Sequence, residues 1–499
     1  MHNMYRNMPP SNYFWNSCKM IKFRDKDRFQ KITPINGFDV NNPDNAMQNN
    51  YAWSMTEMGD YLYVGTGRSV PITMLNAMSK VYGLNIPIPS DLQPKNVDMR
   101  AEIWRCKKDG SNKWERVFKA PEGVFGFRFM TTYTTPYGEK ALYASAYQAL
   151  GESANLRIFK STNGLNWKEI TSNLLGNSSR AMIVHNNKLY MSAIDESGTY
   201  RDPLIYSSTD PERNGWELVT PPGGDPSKNP SGGVMCLISF NGHLYAATSG
   251  KEGFELWRTI ESEPGMNRWK LIVDKGAGDA ANRAPLTLST FRDKLYVATI
   301  SLTLDKSVSN SKTGLFSLFK PFDLISIDKC DSWEIVMGGE PIDPTTPTTG
   351  RRNKPISNLP SGAGNPFNLY AWQLREYDGY FYLGTFDWLV VFLSFIKDII
   401  PSIIANPQIP ILDYIIDLAP ALINLILRLI NSNYDYSRLY NGFDLYRSRD
   451  GIHWETLTLN GLGNSHNYGI RNLFVSENGH LYIGTANPYD GCEVWVNTK

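Results

Sequence analysis

Along the chain, a five-residue pattern of alternating apolar and small or polar positions recurs seven times: LYVGT from Leu62, LYASA from Leu142, LYMSA from Leu189, LYAAT from Leu244, LYVAT from Leu295, FYLGT from Phe381 and LYIGT from Leu481. A period of two is the signature of a strand with one face toward a core. Upstream of each copy lies another apolar stretch ending in a tight turn, as in ISFNGHLY, LSTFRDKLY and LFVSENGHLY. The Asn-Gly pairs there suit a hairpin. A third strand follows each copy: AEIWRC, NLRIFKS, PLIYSS, FELWRT, FDLISI, FDLYRS and CEVWVN. A fourth follows six of them: WERVF, WKEIT, WELVT, WKLIV, WEIVM and WETLT.

The fourth strand is one copy short, and the chain ends at Lys499, four residues after Trp495. The missing copy stands at the other end as FQKIT, Phe29 to Thr33. An N-terminal strand that completes the last four-stranded unit is the ring-closing device of a β-propeller. The expected fold is therefore all-β: a seven-bladed β-propeller over residues 28–499, with 28–34 completing the last blade and 1–27 forming an N-terminal arm. The turns between third and fourth strands carry a second signature. STNGLNW (Ser161 to Trp167) and SRDGIHW (Ser448 to Trp454) read S-x-[DN]-G-x-x-W, and CKKDGSNKW, SSTDPERNGW and SIDKCDSW are looser copies. These turns resemble the Asp-box hairpins of sialidase-like and related propellers. The resemblance implies that the Asx side chain holds the amides of its own turn and that the Trp packs between blades. It also puts Asn163 and Asp450 on the outer rim, in structural roles.

Strand order decides which loops share a face. Turns from strand one to two and from three to four emerge on one side and are short. Connections from strand two to three and between blades emerge on the other, where residues 67–100, 301–321 and 386–441 form long insertions. Long loops without structure of their own are usually functional, so a site is expected on that face. The third insertion contains the most apolar stretch of the chain, Trp388 to Ile430, with only five charges in a protein of mean hydropathy −0.35. Its longest uncharged run, Ile399 to Leu412, contains three prolines and is too short for a span, which needs about 20 apolar residues. Asp413, Asp417, Asn424 and Arg428 form one polar stripe on an otherwise apolar helix, so an α-helical hairpin is expected in blade 6. Such faces need cover. A cap over a ligand cavity, a homo-oligomer interface and contact with a membrane surface all fit.

Composition narrows the partners. Lys+Arg 50 against Asp+Glu 49 leaves a net charge of +1 with no basic stripe, which argues against nucleic acid. The N-terminus has no charged region followed by an apolar run, so no signal peptide is read and a cytoplasmic or non-classically exported protein is expected. The five cysteines are scattered without CxxC spacing, as free thiols would be. No cofactor motif occurs, and among the six histidines no set is spaced for a metal.

Counting back from each LYxxT copy to the innermost strand places Trp53, Arg180, Trp372 and, with one extra turn residue, Arg471 at one level, with Arg128 and Arg283 near it. Tyr51, Tyr370 and Tyr468 stand close by in sequence, and Arg68, Tyr147, Asp195 and Asp387 follow the second strands. A ring of Arg, Tyr and Trp at a channel mouth suits a carboxylate, sulfate or sugar, because guanidinium forks pair with oxyanions and aromatic faces stack on sugar rings. The candidate ligand-binding residues are Arg68, Arg128, Arg180, Arg471, Trp53, Trp372 and Tyr51. The alternative is that these side chains knit neighbouring blades together. A glycoside hydrolase of sialidase type would use the arginines on the substrate carboxylate, Tyr468 or Tyr370 as nucleophile, and Asp195 or Asp387 as acid. The Arg-Ile-Pro signature of that family is absent, and the repeat counts seven units where those enzymes have six. An enzyme acting on a lipophilic substrate beneath the cap is a further form of this alternative.

Overall fold

The computed structural model describes residues 29–70, 72–73, 98–111, 113–148, 155–170, 174–194, 203–300, 320–365, 367–390 and 442–497. The N-terminal arm, most of the three insertions with the expected helical hairpin, and Asp195 lie outside the described residues. The chain is all-β, and hydrogen bonding groups its strands into antiparallel meanders of four. The first is Asn49–Met58, Tyr61–Arg68, Glu102–Lys107 and Glu115–Lys119. The second is Val124–Thr134, Lys140–Gln148, Ile158–Ser161 and Lys168–Glu169. The third is Ser178–His185, Lys188–Ile194, Leu204–Ser208 and Glu217–Leu218. The fourth is Val234–Phe240, His243–Thr248, Glu255–Thr259 and Trp269–Val273. The fifth is Ala284–Phe291, Lys294–Ile300, Leu324–Ile327 and Trp333–Met337. The sixth is Asn368–Tyr377, Tyr380–Asp387, Leu445–Ser448 and Trp454–Thr458.

The seventh meander takes Gly469–Val475, Leu481–Ala486 and Val494–Asn497 from the end of the chain. Its fourth strand is Phe29–Lys31, with Phe29 opposite Asn497. The first strand of each meander packs against the first strand of the next, and that of the seventh against that of the first. The strands form no single closed sheet. Isolated pairs such as Gly67 with Gly126 and Phe386 with Gly469 link neighbouring meanders.

Face-to-face stacking explains the LYxxT pattern. Both faces of the second strand are covered, so Leu62, Tyr63 and Val64 are all buried. The fourth position must then be small. A Cβ on Gly65 would lie 2.8 Å from Phe127, one on Gly384 2.7 Å from Ile470, and one on Gly484 2.5 Å from Met55, each in the following meander. The turns before the fourth strands are tied by their own Asx side chains. Asn163 accepts from the amides of Leu165 and Asn166, and Asp450 from those of Ile452 and His453. Gly451, at φ 78°, is needed twice over, because a Cβ there would also sit 2.1 Å from the hydroxyl of Tyr296 in the preceding meander.

Candidate functional site

Each innermost strand carries a β-bulge at the same level, and the pairing register steps over one residue there. In chain order these residues are Trp53, Arg128, Arg180, Met235, Leu286, Trp372 and Arg471. Bulges re-aim a side chain out of the alternation, which is why they gather beside functional sites. The structure thus brings Trp53, Arg128, Arg180, Trp372 and Arg471 to one level. It does not put Arg283 there: the fifth meander contributes Leu286, three residues further on. The signal was in the sequence, since Met235 and Leu286 stand at the same distance before their LYAAT and LYVAT copies as Trp53 does before LYVGT. Being apolar, they went unnoticed.

The arginines and tryptophans interlock between neighbours. Trp53 lies so close to Gly126 of the second meander that a Cβ there would be 2.3 Å from the indole, and Trp372 meets Gly469 of the seventh at 2.4 Å. Two residues beyond each glycine an arginine turns back over the same ring. The guanidinium carbon of Arg128 is 4.8 Å from the centre of Trp53, and that of Arg471 is 5.2 Å from Trp372 and 5.8 Å from Trp53. At these separations the quadrupole of the ring attracts the cation. The tripeptides GFR (126–128) and GIR (469–471) encode this step, and in the third meander SSR (178–180) replaces it, with Ser178 accepting from Arg128 at 2.8 Å. The two tryptophans are only 3% and 8% exposed, so they serve as platforms for guanidinium groups and offer no open face to a sugar.

The cluster gathers three guanidinium groups close enough to act on one another. Arg471 is depressed to about 9, first by burial and then by Arg128 and Arg180 beside it. Among the described residues no carboxylate pairs with it. Next to these guanidinium groups Tyr51, Trp372, Tyr370, Phe386 and Tyr468 form an aromatic wall, with Tyr370 stacked on Phe386 at 4.6 Å and Tyr51 edge-on to Trp372 at 5.6 Å. The hydroxyls of Tyr51 and Tyr468 bond each other. Burial pushes Tyr51 up to about 12 and raises Tyr370 and Tyr468 as well. Trp388, Leu389 and Val390, the first residues of the long apolar stretch, are described: Val390 belongs to this axial core and its carbonyl accepts from Tyr489 at 3.4 Å.

Arg68 is not part of this cluster. Fully buried, its guanidinium donates to the backbone and side-chain oxygens of Asn45, to Oδ1 of Asn49 at 2.9 Å and to the carbonyl of Asp98. Asn49 in turn donates to Glu102 at 3.1 Å. This arrangement recurs. Asn282 donates to Asp323, Asn368 to Asp444 and Asn467 to Glu493, at 3.1, 2.8 and 2.7 Å. In the last three the same Nδ2 also caps the carbonyl of a glycine six residues earlier. The segments GAGDAAN (276–282), GAGNPFN (362–368) and GLGNSHN (461–467) carry this second repeat in plain view. Asp387 sits beside it in the sixth meander, 1% exposed, and is pushed up to about 8 by burial and by Asp444.

No protein-family profile matches the sequence, and no curated protein matches it. Solved structures overlay it loosely. The chain is similar to the WD40 domain of Neurospora crassa Pan2 (8% identity, 94% of this chain and 96% of that one, TM-score 0.42). It is also similar to the β-propeller domain of the Trilobed protease from Pyrococcus furiosus (9%, 89% and 93%, 0.39). A third is the GH93 α-L-arabinofuranosidase of Fusarium graminearum (11%, 72% and 93%, 0.37). These likenesses carry no argument about activity. Among the described residues no helix is long and apolar enough to cross a membrane.

Proposed function

We propose that the chain is a seven-bladed β-propeller, closed by Phe29–Lys31, that binds an anionic small molecule or acidic glycan at the Arg128–Arg180–Arg471 cluster on its axis. The observation that carries this reading is Arg471: a buried guanidinium with two arginines beside it and no carboxylate partner among the described residues. A buried cation without a counter-charge is costly, and an oxyanion from solution supplies the missing charge with a bidentate fit. Binding is favoured over glycoside hydrolysis because burial raises Tyr468 and Tyr370, which disfavours the phenolate a nucleophile needs, and because the hydroxyl of Tyr468 bonds Tyr51 instead of a carboxylate. The apolar stretch 388–430 is read as a cover over this site, since its first residues already pack on the axial core.

Calorimetric titration with citrate, a sulfated disaccharide and an uncharged disaccharide tests this. The acidic ligands should bind and the uncharged sugar should not, and Arg471→Met should weaken binding at least about tenfold, the scale of one charge-assisted bond. Equal affinity in the variant, or no anion binding by the wild type, would overturn the reading.

A further inference from the structure

Four meanders share one buried polar unit, an Asn at the head of the inner strand bonded to an acid at the head of the third strand, and the unit differs in one of them. In the first meander Oδ1 of Asn49 accepts from Arg68 at 2.9 Å, and Arg68 lies 3.9 Å from Glu102. In the fifth, Lys320 Nζ sits 2.7 Å from Oδ1 of Asn282, 2.8 Å from Asp323 and 3.5 Å from Asp279. Arg352 adds a second cation at 2.8 Å from Asp323. Two carboxylates there meet two cations, and the carboxyl of Asp323 stays down at about 2 although burial alone would push it up. In the seventh, Asn487 donates to Oδ1 of Asn467 at 3.1 Å and Lys31 pairs with Glu493 at 3.0 Å.

The sixth meander has the same Asn and acid, but its charge is reversed. Asp387 stands opposite Asn368 in the ladder, the place that Arg68 holds opposite Asn49. Asp387 and Asp444 are each 1% exposed and share the Nδ2 of Asn365, at 3.0 and 3.1 Å. Among the described residues no Lys or Arg reaches either carboxylate. Asn368 is fully buried, its Nδ2 is spent on Asp444 and the carbonyl of Gly362, and its Oδ1 accepts from nothing among the described residues. In the other three units that oxygen faces a donor, and in two of them the donor is a cation that also neutralises the acid.

We propose that the sixth meander holds a divalent cation of the calcium class, bound by the carboxylates of Asp387 and Asp444 and by Oδ1 of Asn368. Two buried carboxylates call for two positive charges, the number Lys320 and Arg352 supply next door, and an all-oxygen set of carboxylate and amide ligands is what a hard cation takes. The fifth meander shows that such an amide oxygen and carboxylate can both touch one positive centre. The hydroxyl of Tyr446, 2.9 Å from Asp444, fixes that carboxylate as an outer partner.

The test uses the full chain stripped with a chelator, then titrated with Ca2+, with Tb3+ as an optical probe excited through Tyr446 and Trp388. Saturating Ca2+ should raise the melting temperature by roughly 2 °C or more, and Tb3+ should luminesce and be displaced by Ca2+. Asp444→Asn should lose both responses. Asp387→Arg places the first meander's own residue at the equivalent position, and should fold, lose both responses and melt above the chelated wild type. No Ca2+ response in the wild type, or an unchanged response in Asp387→Arg, would overturn the proposal. Retention by that variant would put the cation elsewhere, and absence in the wild type would leave the carboxyls to share a proton. Neither result bears on the arginine cluster, whose ligands and variants are different.

Discussion

Replacing Asp387 by asparagine should change how stability depends on pH in a way that can be worked out from its surroundings. Burial and the neighbouring Asp444 push the Asp387 carboxyl up to about 8, against an ordinary value near 4 in the unfolded chain. The folded state therefore holds this proton more tightly. Its contribution is fully present below about pH 4 and is lost as pH rises toward 8. Each unit within that window costs about 1.4 kcal/mol, so moving from pH 5.5 to 7.5 removes roughly 2 to 3 kcal/mol. With about 2.1 cal/mol/K per residue, 499 residues unfold with about 1 kcal/mol/K, and the change corresponds to roughly 2–3 °C. The amide that Asp387→Asn introduces cannot ionise and keeps a similar shape. In chelator, the melting temperature of the variant relative to wild type should rise by that amount between the two pH values. A difference that stays constant with pH would refute the reasoning, because it would mean that Asp387 is ionised in the fold and already paired with a cation of the chain.

The other pockets give predictions of opposite kind. Lys320→Met should destabilise the protein by about 3–5 kcal/mol, read by chemical denaturation, since it leaves the buried Asp279 and Asp323 with one cation fewer. Gly451→Ala should lower the melting temperature because its Cβ would meet the hydroxyl of Tyr296 at 2.1 Å, and Tyr296→Phe should recover only part of the loss, leaving the cost of the positive φ. Asn163→Ala should cost about 1–2 kcal/mol by freeing the amides of Leu165 and Asn166.

How much of this was legible in the chain depends on what kind of physics wrote each feature. The sheet spacing forces an alternating apolar and small pattern on every second strand, so LYVGT and its relatives stand out, and FQKIT pairs with the last strand, Phe29 facing Asn497. The level of Trp53, Arg180 and Trp372 could be counted because their bulges fall at one distance from that landmark. Arg283 drops out once the same nine-residue count is applied to LYVAT, because it lands on Leu286, the residue that the observed register puts at the bulge. Arg68 looked like its neighbours in sequence, and nothing local reveals that Asn45, Asn49 and Glu102 close around it. The GxG[DN]xxN segments were the readable signal that went unused. Their meaning is a pairing with an acid 26 to 76 residues later, which spacing alone does not announce.

The most direct test of the anion site is a crystal soaked in selenate and measured at the selenium edge. Selenium should appear on the axis as a selenate whose oxygens accept from the Arg471 guanidinium, between it and Arg128 or Arg180. Arg471 found bonded to a carboxylate of the chain itself, with no selenium at that position, would contradict the account.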